Sequence, residues 1–190
     1  MLALLLAATF AVSADGGLES ATPRSVGMSA ARLETIDRVV ARGIRAGGYP
    51  GAAVVVGRKG KAVWERGFGR LDWSAGSRAV DPATTIYDLA SLTKVVGTTT
   101  AAMILFDEGR LHLDAYVRYY IPEFTGGWKD SVTIRQLLTH RSGLPAGRDL
   151  WRIAYNPEEA RRYAIETDLA YVPGTRYIYS DLGADLLGFV

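Results

Sequence analysis

Apolar side chains return at Leu33, Ile36, Val39, Val40 and Ile44, marking one face of a helix over 30–46 that Ser29 is placed to cap. GGYPG at 47–51 ends it. The period then changes: AAVVVG and AVWERGFG flank RKGK, the pattern of a β-hairpin. Residues 70–86 carry no period and contain the turn signal Asp81-Pro82, so they form a loop. From 91 to 108 the chain is helical again, closed by Gly109, and apolar enough to run through a core. HLDAYVRYYIPEF is a short helix or turn that stops near Pro122. Thr133 and Gln136 make a capping box for IRQLLTH. Asn156, Pro157 and Glu159 supply a cap, a first-position proline and a third-position acid for a helix over 157–166. YVPGTRYIYS is a turn with an extended arm, and DLGADLLGFV opens another helix.

Helices following a single hairpin give an α/β chain of the α+β kind. Two strands alone are marginal, and the apolar positions 182, 186, 187 and 190 still mark a face at the last residue. More strands are therefore expected beyond Val190. A chain of 190 residues, 48% hydrophobic and 22% charged, can bury a sizeable core. The net charge of +2 comes from scattered arginines, which excludes the basic stripe of a nucleic-acid binder. Without cysteine there is no disulfide, thiol catalysis or Cys-ligated zinc, and with two histidines and no HExxH the usual zinc-hydrolase motif is missing too. No metal or organic cofactor is implied.

The apolar run from Leu2 to Val12 is shorter than the roughly 20 residues that span a bilayer. Small residues at Val12 and Ala14 follow, so 1–14 reads as an export signal, although no Lys or Arg precedes it. The mature chain, 15–190, is then exported, periplasmic or secreted, without a stable membrane span.

Candidate chemistry sits at the start of the apolar helix, in YDLASLTKVVG. Ser91 and Lys94 are three apart, close enough on a helix for side-chain contact. A serine hydroxyl needs a neighbouring base, and a lysine serves if burial depresses its pKa. With ten serines and four lysines, chance supplies about 0.2 such pairs, so spacing alone is weak. The second element is YIYSDLG, where Tyr179 places a phenol 88 positions after Ser91. A phenol acts as a base at neutral pH only if cations pull it well below its usual value of about 10.

YDLASLTKVVGTTTAAMILFDEGRLHLDAYVRYYIPEF, VTIRQLLTHRSGLPAG and YVPGTRYIYSDLGADLLGFV, in this order and spacing, resemble the serine β-lactamase and penicillin-binding-protein superfamily. The nearest branch is that of class C β-lactamases, DD-peptidases and esterases, and the likeness runs from about residue 24 to the end. It implies a β-lactamase/transpeptidase-like fold: an antiparallel sheet, a helical subdomain and an active site in the cleft between them. It also implies roles. Ser91 would be the acylated nucleophile, with its backbone N–H as half of an oxyanion hole. Lys94 would be its base or proton relay, and Tyr179 would carry a proton to the leaving group. The substrate would be an ester, a β-lactam or a D-Ala-D-Ala-type, peptidoglycan-like amide.

Two departures qualify the likeness. Asp181 stands where the family pattern Tyr-x-Asn has asparagine. An ionised aspartate only accepts hydrogen bonds, so it repels a substrate carbonyl or carboxylate, favours esters and holds Lys94 protonated. The third motif, Lys- or His-Thr-Gly, is absent from the 190 residues and is expected downstream. The 190 residues alone are therefore expected to be largely inactive. The rival reading is a non-turnover penicillin sensor or peptide-binding module of the same fold. No GxSxG elbow points to an α/β-hydrolase. His140 is assigned a loop hydrogen bond, Ser142 a structural role, and Tyr87, Trp64, Trp73, Trp128 and Trp151 packing or cleft-wall roles.

Overall fold

The computed structural model describes residues 17–190, and the segment read as an export signal lies outside them. The chain divides into two compact units, one ending at Tyr87 and the other running from Asp88 to Val190.

In the first unit, strand β1 (Glu19–Ser20) precedes helices α1 (Ala30–Leu33) and α2 (Thr35–Arg45). Ser29 Oγ accepts the Arg32 N–H at 3.3 Å, the expected cap. Strands β2 (Gly51–Arg58) and β3 (Lys61–Gly69) form the hairpin. Its two-residue turn puts Lys59 at φ 54° and Gly60 at φ 73°, the left-handed pair that matches strand twist. A bulge after Val56 leaves Val63 unmatched, so the consecutive Val63 and Trp64 are both buried. They pack with Val26 and Leu33 and with partly buried Ile36, Val54 and Phe68. The sheet order is β1-β3-β2, with β1 parallel to β3 and Glu19 bonded to Lys61 at 2.8 Å. The expected antiparallel hairpin thus gains a parallel strand whose two residues are too few to show a pattern.

The second unit begins with a 3₁₀ turn (Ala90–Leu92), continues as a π-helical segment (Lys94–Thr99) and becomes α3 (Thr100–Asp107). A uniform helix over 91–108 was expected. The wider winding has a local cause: Thr99 and Thr100 hydroxyls donate to the carbonyls of Lys94 and Val95, five residues back, at 2.8 and 3.1 Å. The segment does not run through a core either. Val95, Val96, Met103, Ile104 and Phe106 are all more than half exposed, and only Ala102 is buried. All-round apolarity signals that such a helix can be covered, but α3 contributes only Ala102 and partly buried Leu105 to this unit's core.

Helices α4 (Val117–Tyr120), α5 (Ile134–Leu138), α6 (Leu150–Ile153), α7 (Pro157–Glu166) and α8 (Asp181–Phe189) complete the unit. The capping box at Thr133 and Gln136 is present in both directions. Asn156 Oδ1 accepts the Glu159 N–H at 2.8 Å to start α7. Ser180 Oγ accepts the Gly183 N–H at 3.1 Å to start α8. Val117, Phe124, Val132, Ile134, Leu182 and Leu186 are fully buried in one core, each contributing about 1.5–3 kcal/mol. Lys129 is buried beside them, with Nζ donating to the Ile165 carbonyl at 2.8 Å and lying over the Phe124 ring. Burial pushes its ammonium below the usual lysine range.

Candidate active site

Ser91 follows Ala90, a non-glycine residue at φ 43°. That left-handed conformation costs on the order of 1–3 kcal/mol and is steadied by Asp88, whose Oδ1 accepts the Ala90 N–H at 2.8 Å. Ser91 therefore projects from the first turn of the helical segment and is exposed. One turn on, Lys94 Nζ donates to Ser91 Oγ at 3.2 Å.

Tyr179 and Asp181 arrive from the other end of the unit, along the arm 171–180. Loop 140–146 fixes that arm mostly through main chain. The Gly143 carbonyl accepts from the N–H groups of Ala170 and Tyr171. The carbonyls of Arg141, His140 and Ala146 accept from Gly174, Ile178 and Asp181 at 2.8, 2.9 and 2.7 Å. Ser180 donates its N–H to His140 Nδ1 at 3.1 Å and its hydroxyl to the Pro145 carbonyl at 2.7 Å. His140 thus makes the loop hydrogen bond expected of it, with its ring 4.6 Å from that of Tyr179. Burial, and then Lys94, hold its imidazole below the usual range. Buried Ser142 accepts the Leu144 N–H within the same loop.

Four side chains meet at this point. Lys94 Nζ lies 2.6 Å from Asp181 Oδ1 and 5.1 Å from the centre of the Tyr179 ring. Its hydrogen bond to Asp181 holds the ammonium above the usual lysine range, against the opposing pull of burial. The depressed lysine that a neutral amine base requires is therefore not what this environment produces. Tyr179 moves the other way: hydrogen bonding to the Ser91 hydroxyl, then to Lys94, brings its phenol below the usual value. A serine hydroxyl, a phenol that ionises more easily and a cation in contact with the serine form a set able to move a proton off a serine.

A cavity of about 430 Å³ opens beside Ser91, bordered by Lys94, Arg148, Leu150, Trp151, Asp181 and Asp185. Trp151 is a wall of this cavity, whereas Trp64 packs in the core of the first unit and Trp73 and Trp128 are exposed. Sequence reasoning did not single out Arg148 or Asp185. Asp185 sits one turn after Asp181, a signal that was available once Asp181 was placed on a helix. Among the described residues no group of three or more His or acidic side chains is arranged to hold a metal.

The family model described as Beta-lactamase matches residues 36–190. The chain belongs to the beta-lactamase family. Among curated relatives of this beta-lactamase family chain, a protein of Escherichia coli K12 named "Putative D-alanyl-D-alanine carboxypeptidase" is 30% identical over 206 aligned positions, covering 98% of this chain and 47% of the relative. An N-acetylmuramyl-L-alanine amidase of Bacillus subtilis is 33% identical over 184 positions, covering 85% and 41%. The chain spans about half the length of the curated relatives it matches. Among solved structures, a class C beta-lactamase superposes with a TM-score of 0.70 at 28% identity, over 82% of this chain and 42% of that one. The octameric penicillin-binding protein homologue from Pyrococcus abyssi gives 0.69 at 26% identity, over 83% and 38%. The fold is the β-lactamase/transpeptidase-like one.

Proposed function

We propose that this beta-lactamase family chain is a serine acyl-hydrolase working through acyl-Ser91. The reading is carried by the contact of Ser91 Oγ with Lys94 Nζ at 3.2 Å, beside a Tyr179 phenol lowered by those two groups. Ser91 Oγ attacks the substrate carbonyl carbon while its proton passes to the Tyr179 phenolate. Lys94 stays protonated, held so by Asp181, and balances the phenolate. The tetrahedral intermediate collapses as Tyr179 returns that proton to the leaving oxygen or nitrogen. Water then attacks the acyl-serine, with Tyr179 taking the proton and Ser91 regaining it. Lys94 is thus an electrostatic partner, and Tyr179 the base.

The substrate is an ester first, then a β-lactam or a D-Ala-D-Ala-type, peptidoglycan-like amide. The ester preference follows from Asp181, which repels a substrate carbonyl or carboxylate where asparagine would donate. The names of the relatives support the amide classes. Residues 15–190 form the working domain, and 1–14 direct export. No helix among the described residues is long and apolar enough to cross a membrane. Because the chain spans about half of its relatives, we expect acylation by reactive probes and little turnover from the 190 residues alone.

A fluorophosphonate probe and a fluorescent penicillin test this, with p-nitrophenyl acetate and nitrocefin for turnover. Labelling that maps to Ser91 and vanishes in Ser91→Ala is expected. A stable penicillin adduct without turnover in a chain extended to the length of its relatives assigns the sensor role instead. No adduct with either probe overturns both covalent readings.

A further inference from the structure

Four ionisable side chains border the cavity beside Ser91: Lys94, Arg148, Asp181 and Asp185. Three already make polar contacts, those of Arg148 to neutral groups outside the cavity. Lys94 and Asp181 neutralise one another at 2.6 Å. Arg148 is drawn toward α7, where Nη1 donates to the Tyr163 carbonyl at 3.0 Å and to Thr167 Oγ1 at 3.3 Å, with the guanidinium over the Tyr163 ring. Asp185 accepts no hydrogen bond and joins no ion pair among the described residues. It lies one turn beyond Asp181 on α8, so both carboxylates face the cavity from the same side. Asp185 is exposed at its outer edge; partial burial, then the neighbouring Asp181, push its carboxyl above the usual aspartate range, with Lys94 pulling the other way. A second cation beside Asp185 would offset the repulsion from Asp181. Leu150 and Trp151 supply an apolar wall to the same cavity.

We propose that Asp185 sets the specificity of the pocket, which selects acyl groups carrying an ammonium over neutral acyl groups, and disfavours those carrying a carboxylate. The acyl chain lies against Leu150 and Trp151, and its ammonium meets Asp185 beside the Lys94–Asp181 pair. This rests on the reading of Ser91 as the nucleophile.

The p-nitrophenyl esters of β-alanine, butyrate and succinate test it on the 190-residue chain. The first two differ by an ammonium in place of a methyl, and the third carries a carboxylate. Acylation of Ser91 is followed by the p-nitrophenolate burst and by intact mass; the β-alanyl and butyryl rates are each divided by that ester's spontaneous hydrolysis, and the succinyl rate, whose ester hydrolyses through its own carboxylate, is taken undivided from the initial rise of the intact-mass adduct. The β-alanyl ester is expected to react about fivefold faster than the butyryl ester, the scale of a partly exposed ion pair, and the succinyl ester more slowly than both. Asp185→Asn brings the β-alanyl to butyryl ratio to about one, Asp185→Glu keeps it high, and added NaCl lowers it in the wild type by screening. A wild-type ratio near one, a ratio indifferent to salt, or a ratio that survives Asp185→Asn overturns the proposal. If Asp185→Asn does not fold, the wild-type ratio and its salt dependence still decide. Butyryl acylation without charge preference defeats the specificity alone; no acylation by any of the three esters defeats the Ser91 reading and the specificity with it.

Discussion

Asp181→Asn offers the sharpest test of who holds the proton. The pair it breaks is 2.6 Å long, between a lysine 22% exposed and a carboxylate 62% exposed. Bare attraction at that distance is about 6 kcal/mol at an effective dielectric of about 20, and under about 2 kcal/mol in water. The exposed carboxylate places the pair near the watery limit, where net contributions run to about 0.5–1 kcal/mol. In the variant Lys94 falls back toward ordinary lysine behaviour, and Tyr179 loses the opposing charge of Asp181. Lys94 stays protonated at neutral pH, so it is the loss of the Asp181 charge that enlarges the phenolate fraction there. An energy of that size is a factor of about two to five in rate. Acylation of Ser91 by p-nitrophenyl acetate at neutral pH should therefore accelerate by about that factor, with the rising limb of the pH–rate profile moved to lower pH. Burst kinetics with intact-mass detection measure both. Stability moves the other way. Lys94 is raised in the fold, so the pair's contribution is whole below the ordinary lysine value of about 10.4 and is lost as pH climbs through the folded one. The variant should be less stable by about 1 kcal/mol through neutral pH, with the gap closing in strong alkali. Unchanged or slower acylation by a variant with wild-type circular dichroism refutes Tyr179 as the base.

Gly143→Ala forces a side chain into φ 88° and against the Tyr171 carbonyl oxygen. It should cost about 2–4 kcal/mol in urea unfolding and slow Ser91 labelling, whereas Gly147→Ala, with nothing near its added Cβ, should be neutral in both. Thr133→Ala removes the cap that accepts the Gln136 N–H and should lower stability by about 1 kcal/mol, read as a fall of a few degrees in Tm. Leu182→Ala empties a fully buried site at the start of α8. A loss of about 2–5 kcal/mol is expected by denaturant titration, with Ser91 labelling falling in step because the start of α8 holds the end of the arm that carries Tyr179.

The helix starts were legible because caps are local. Ser29, Thr133 and Asn156 each bond an N–H three residues on, and the sequence shows both partners. The turn of the hairpin was legible for the same reason. Strand β1 was not, since two residues paired to Lys61 and Ala62 leave no period. The winding of 94–99 was missed because it depends on threonine hydroxyls choosing carbonyls five back, a choice no periodicity records. At the site, the motifs named Ser91, Lys94, Tyr179 and Asp181, and the structure brings them together. The state of Lys94 was legible only as a consequence of finding aspartate at 181. Arg148 and Asp185 lie outside every motif, and only the folded arrangement of α6, α7 and α8 sets them around one cavity.

The arm that bears Tyr179 is tied down by peptide groups of the 140–146 loop, and its outward side chains Val172, Arg176 and Tyr177 make none of those ties. Main-chain lashings are blind to side-chain identity. Tyr179 therefore rides on a segment whose exposed positions 172 and 176 can be varied without touching those ties, whereas Tyr177 packs edge-on against the His140 ring. A combinatorial library at 172 and 176 would sample new surfaces along the arm while its peptide groups keep the phenol anchored.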